Sequence, residues 1–119
     1  MREGRKFHDL YIIEKYDEFL NYIYPAAQNI PRKHGVLKEG FIRLIFEQPE
    51  LFYKAIKSGH KSKIYEADAG IAAIKHRLRF LADDKRKLIT KRQHQVASVK
   101  LAETGKLIGK MLRGRQDSG

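Results

Sequence analysis

In NIPRKHGV, residues 29–36, Arg32, Lys33 and His34 stand together between a proline and a glycine. A second basic run follows at residues 75–92, where Lys75, Arg77, Arg79, Lys85, Arg86, Lys87, Lys91 and Arg92 accompany only two acids, Asp83 and Asp84. The chemistry open to such residues is recognition rather than bond making. Guanidinium and ammonium groups only donate hydrogen bonds and stay charged at neutral pH, so they hold phosphate or carboxylate oxygens. A surface corner needs polar side chains, but not three from the basic side of the scale. Plain solvation of a corner is the competing explanation for Arg32, Lys33 and His34.

Groups for covalent or metal chemistry are sparse. The chain has no cysteine, which excludes disulfides, thiolate metal sites and cysteine nucleophiles. The five histidines (His8, His34, His60, His76 and His94) form no pair at i+3 or i+4, and no Glu-x-x-His occurs. A helical di-iron site needs that motif twice. GHKSK lacks the first glycine and preceding strand of a phosphate-binding loop. Ser58, Ser62 and Ser98 have no local base, and Asp68 is a lone carboxylate whose simplest role is to pair with Lys75 or with a base of a second copy. The expectation is a protein with no catalytic residues, no cofactor and no metal.

Composition points the same way. The 119 residues amount to one domain, with 42% hydrophobic and 33% charged residues, as in a globular chain. Lys and Arg outnumber Asp and Glu 25 to 14, for a net charge of +11 and a pI near 10.0. So basic a small domain repels itself unless it meets a polyanion. Nucleic acid is the leading partner class, ahead of an acidic membrane surface or protein. The charge is uneven: Asp9, Glu14, Asp17 and Glu18 make the first segment acidic, whereas Lys54, Lys57, Lys61 and Lys63 stand in a stretch without acids. The apolar run near the start stops at Glu14, too short for a signal-peptide core, and no stretch approaches the roughly 18 apolar residues of a membrane span. A cytoplasmic location with no membrane partner is expected.

Four amphipathic helices must position these groups. Ile12, Tyr16, Phe19, Ile23 and Ala26 form a 4-3-4-3 row, predicting a helix over about 7–28 that Pro25 bends and Pro31 ends. Gly35 is expected to supply the turn. Leu37, Phe41, Ile45, Phe52 and Ile56 predict a second helix over 36–58, with a kink at Pro49 and Gly59 as a left-handed cap. Ile64, Ala67, Ile71, Ile74, Leu78 and Leu81 define a third over 62–82. Thr90 and Gln93 fit a capping box opening a fourth over 90–113, which carries Ala97, Leu101, Ile108 and Met111 or Leu112. DDKRKLI is the most polar connector, and the tail RGRQDSG is expected to fray. Nothing alternates like a strand. The predicted fold is all-α, an up-down-up-down four-helix bundle in one domain spanning 1–119.

The third helix has a second row, Ala69, Ala73, His76 and Phe80, facing away from the core. It is either a harmless exposed patch or a contact between copies of the chain. Gly70, Gly105 and Gly109 inside helices each cost about 1 kcal/mol against alanine. Close backbone approach, between copies or inside the bundle, would account for them.

YPAAQNIPRKHGV, IYEADAGIAAI, LRFLAD and HQV occur in this order, from about Tyr11 to Leu112. They resemble the accessory variability determinant (Avd) proteins of diversity-generating retroelements. The resemblance implies a four-helix bundle that assembles as a basic, barrel-like homopentamer. It implies binding to the element's reverse transcriptase and to structured RNA or DNA, including template RNA, in support of adenine-mutagenic cDNA synthesis (mutagenic retrohoming), without polymerase activity of its own. The family's partner-binding surface uses bases of the third helix, here Lys75 and Arg79. The candidates for nucleic-acid or polymerase contact are therefore Arg32, Lys33, His34, Lys75, Arg77, Arg79, Lys85 and Arg86. Those for contact between copies are Ala69, Ala73, His76 and Phe80. The chain departs from the pattern at Lys75, where an arginine is expected, at His76 and Arg77, where aromatics are usual, at Pro49, and in the connector before the fourth helix. The neighbouring four-helix family encoded in ribosomal-RNA intervening sequences, acting through protein–protein contacts, is the alternative.

Overall fold

The apolar rows spaced at three and four residues become the buried sides of four helices. The computed structural model describes the backbone of residues 2–114 and the side chains of residues 11–114. It contains α1 (Arg2–Gln28), α2 (Gly35–Ser58), α3 (Lys61–Ala82) and α4 (Lys91–Gly114), with a 3-10 turn at Arg32–His34 and no strand among the described residues. The first helix begins five residues before its expected start. The tail expected to fray, RGRQDSG, begins at Arg113, but Arg113 and Gly114 are still helical in α4. Arg115–Gly119 lie outside the described residues, as do the side chains of His8 and Asp9.

A helix of 24 residues is about 36 Å long at 1.5 Å per residue. The molecule measures 49 × 21 × 18 Å, so the helices must run along its long axis, two by two in cross-section. Each contacts its neighbours in the chain, and α1 closes the ring against α4. Short connections make neighbours antiparallel. Ile12, Tyr16, Phe19, Ile23 and Ala26 of α1 are buried, as are all six residues of the α3 row. Phe41, Ile45 and Phe52 of α2 and Ala97, Leu101 and Ile108 of α4 complete the core, while Leu37, Ile56, Met111 and Leu112 are partly buried at its edges.

Two polar groups fix α2 in this core. Pro49 has no N–H, so the carbonyl of Ile45, four residues earlier, lacks its helical donor. The Tyr16 hydroxyl of α1 donates to that carbonyl at 2.6 Å. The helix therefore continues unbroken from Gly35 to Ser58 through Pro49. Burial, with a smaller contribution from Asp17, raises the Tyr16 phenol well above its ordinary pKa, which keeps it a donor. Three residues on, Gln48 is buried and its Nε2 donates to the Ala67 carbonyl of α3 at 2.8 Å. Its amide oxygen lies over Gly70, where any Cβ would overlap it and would also press within 3.0 Å of Leu51. Gly70 thus permits close approach of α2 and α3.

The connectors show what ends each helix. Gly59 adopts φ 69° and its N–H donates to Ala55, the expected left-handed cap. Thr90 and Gln93 exchange reciprocal bonds of 2.9 Å, the expected capping box. Gly35, by contrast, does not make the first corner. It is right-handed helical (φ −57°), and an added Cβ would meet nothing within 4 Å. Pro31 (ψ 150°) and the 3-10 turn after it do the turning. Gly105 likewise has no neighbour within 4 Å, and Gly109 meets only the end of Arg113. Close packing inside the chain therefore explains neither.

Candidate functional site

The corner after Pro31 lies at the start of α2, and antiparallel packing brings the end of α3 beside it. The two basic stretches of the sequence consequently meet. A groove of about 1060 Å³ is lined by Arg32, Lys33 and His34 of the corner, Val36, Leu37 and Gly40 of α2, His76, Arg77 and Phe80 of α3, and Arg86 of the following connector. No carboxylate lines it. Among the described residues Arg86 alone of these bases pairs with an acid, Asp83 at 3.6 Å.

Each cation is placed by a specific piece of backbone. The 3-10 turn, closed by the His34 N–H donating to the Pro31 carbonyl at 3.0 Å, holds Arg32 and Lys33 outward. Arg77 lies on the α2 flank of α3, and its guanidinium crosses Gly40, where a Cβ would stand 3.4 Å from Nη1. Arg86 belongs to a turn in which the Asp83 carbonyl accepts the N–H groups of Arg86 and Lys87, both at 2.8 Å. Lys87 closes that turn with φ 52°, a left-handed conformation costly for a residue with a side chain. The Asp83 carboxylate accepts the Lys85 N–H at 2.8 Å. The Arg86 guanidinium then stacks 3.5 Å from the centre of the Phe80 ring and donates to the Phe80 carbonyl at 3.4 Å.

The expected residues separate into sets. Arg32, Lys33, His34, Arg77 and Arg86 come together in the groove, joined by His76 and Phe80 from the row expected to contact a second copy. Arg79 faces the other way, into a cleft of about 590 Å³ toward α4 with Asp83, Asp84, Lys91 and His94, and His76 and Phe80 line this cleft as well as the groove. Lys75 is one turn earlier on the same flank and exposed. Lys85 is exposed and lines neither cleft, and Ala69 and Ala73 are exposed further along α3. Asp68 forms no ion pair with Lys75 among the described residues. Sequence reasoning missed Gly40 and Val36. A glycine inside a strongly amphipathic helix was the available signal for the first. Val36, 92% exposed, belongs to the groove wall rather than to the core that its apolar nature suggests.

Among the described residues no group of three His, Asp or Glu could hold a metal ion, and no helix is long and apolar enough to cross a membrane. Four helices and a cationic groove define the class as a basic helical bundle. Residues 10–114 match the family model described as bAvd-like, and the chain belongs to that family of Avd-type proteins. A comparison with curated proteins finds no match.

Proposed function

We propose that the protein is a non-catalytic accessory subunit that binds a retroelement reverse transcriptase and the element's structured RNA or its DNA, supporting mutagenic cDNA synthesis. The observation that carries this reading is the groove in which Arg32, Lys33, Arg77 and Arg86 converge without a lining carboxylate. Such a surface suits a polyanion, and affinity for it falls steeply with salt. The α4 flank suits a protein instead. There Arg79 and Lys91 are interleaved with Asp83 and Asp84, and mixed charge favours a partner with complementary charges of both signs. Lys75 and Arg79 are accordingly the polymerase contacts, and the groove is the nucleic-acid contact. The working form is a homo-oligomer, a pentamer by family resemblance, in which the exposed Ala69 and Ala73 face another copy.

Replacing Lys75 and Arg79 with alanine tests the polymerase assignment. Helical content should survive, because both side chains are exposed, and assembly should survive, because the proposed contact between copies is made by Ala69 and Ala73 instead. Complex formation with the cognate polymerase should weaken by about 1.5–3 kcal/mol for each charged hydrogen bond lost. Wild-type co-purification by an intact double variant contradicts the assignment. Light scattering tests assembly: a 13.9 kDa particle at micromolar concentration and moderate salt contradicts it. Ala73→Glu should dissociate the oligomer by burying an unpaired charge.

A further inference from the structure

Phe80 is an unusual wall for a phosphate-binding groove. Phe80 is 38% exposed and shares the groove with the nearly bare Val36, although four cations and two histidines line the same surface. Phosphates alone need no aromatic ring. A duplex cannot use one, because its bases are stacked on each other inside the helix. An unpaired base can, since every base offers a π-face. The ring already carries a planar partner: the Arg86 guanidinium lies 3.5 Å above it. That guanidinium is otherwise held by a 3.4 Å hydrogen bond and a 3.6 Å ion pair, both long and partly exposed. Lifting it by the thickness of a base therefore gives up chiefly its cation–π contact with the ring, which stacking on the inserted base replaces.

We infer that the groove seats an unpaired base of a polynucleotide, stacked between the Phe80 ring and the Arg86 guanidinium. The flanking phosphates lie on Arg32, Lys33 and Arg77. This rests on the nucleic-acid reading above and adds to it a preference for single-stranded over duplex segments. The groove's volume of about 1060 Å³ leaves room for the neighbouring nucleotides of a passing strand. Recognition by stacking and charge is tolerant of base identity, so the site reads strandedness rather than sequence.

The test uses the full chain with two RNA probes of equal phosphate count, an oligoadenylate strand containing 2-aminopurine and a duplex. The unmodified protein should bind the strand more tightly and quench the 2-aminopurine. Phe80→Leu should lower strand affinity roughly 5- to 100-fold, leave duplex affinity within about twofold, and leave the salt dependence of strand binding unchanged. Arg86→Lys, which keeps the charge but removes the planar cap, should also lose quenching while holding the duplex. Circular dichroism establishes that each variant is folded; if Phe80→Leu is not, Arg86→Lys alone decides. Equal weakening of both probes, or of neither, overturns the stacking site. A change in assembly mass on Phe80→Leu also overturns it, since the ring would then lie between copies. Failure of the unmodified protein to bind either probe overturns the underlying nucleic-acid reading as well. Salt-dependent duplex binding without strand preference overturns stacking alone.

Discussion

The flank of α3 that faces α2 and the flank that faces α4 draw on the same basic run, but they differ in what stands opposite. Toward α2, Arg77 meets the corner cations Arg32 and Lys33 across the bare backbone of Gly40. Toward α4, Arg79 shares a cleft with the connector's two carboxylates, of which Asp84 pairs with Lys91 at 3.7 Å and Asp83 with the groove base Arg86 at 3.6 Å. A count of bases along residues 75–92 cannot separate these surfaces. The difference arises because successive residues of a helix point about 100° apart, so Arg77 and Arg79 leave α3 on opposite sides. Both flanks share the net positive charge, and what distinguishes the α2 side is that no carboxylate lines it.

The contrast depends on α2 and α3 keeping their spacing, and the largest expected effect comes from forcing them apart. Gly70→Ala must displace the buried Gln48 amide, breaking its bond to Ala67 and crowding Leu51. Overpacking and an unpaired amide together should cost about 2–4 kcal/mol in chemical denaturation, only partly offset by helix propensity. In folded material, RNA affinity should fall more than polymerase affinity, because the groove spans α2 and α3. Loss of both in equal measure would mean the two flanks are not separate sites.

Tyr16→Phe is next. It leaves the Ile45 carbonyl without a donor in the core and should cost about 1–3 kcal/mol at neutral pH. The phenol's pKa is raised in the folded state, so its contribution is complete below the ordinary value near 10.0 and is lost as pH rises above it. Denaturation at increasing pH should therefore show a decline above about pH 10 that Tyr16→Phe reduces. The same slope in both proteins would contradict this account of Pro49 and its replacement donor.

Two smaller changes sharpen the comparison on the α4 flank. Gly105→Ala meets nothing within the chain and should add about 1 kcal/mol of stability with assembly mass unchanged. Dissociation of the oligomer would instead place the α4 face between copies. Asp84→Asn removes one acid at the cost of an exposed ion pair worth at most about 1 kcal/mol. It should raise RNA affinity about two- to threefold while weakening polymerase binding slightly. An RNA affinity that does not move would argue that local acid does not govern where the polyanion binds.

Much of the fold is legible in the residues themselves. The rows of α1 and α3 are long and regular, so every residue named in them is buried, and the cap chemistry of Thr90, Gln93 and Gly59 is local enough to read directly. Gly35 misleads because a glycine after a proline suggests a positive φ, whereas the 3-10 turn has already reversed the chain. Gln48 and Tyr16 are hidden for a different reason. Their roles depend on groups 19 and 29 residues away, and no helical period reports such pairings. The candidate site is legible as a set of bases but not as two surfaces. That separation requires knowing that the Pro31 corner and the end of α3 share one end of the molecule. Arg86 over Phe80 is likewise a tertiary contact made by a connector, the part of the chain least constrained by periodicity.

The most direct test of the two-surface account is the salt dependence of structured-RNA binding for two sets of alanine substitutions. Removing Arg32, Lys33 and Arg77 together should reduce the slope of log affinity against log salt by about 2–3, one phosphate contact for each base. Removing Lys75 and Arg79 should change that slope by less than about 0.5 while weakening the polymerase complex. Equal loss of slope per charge removed in the two sets, or an unchanged slope in the triple variant, would contradict the assignment of the acid-free groove to nucleic acid.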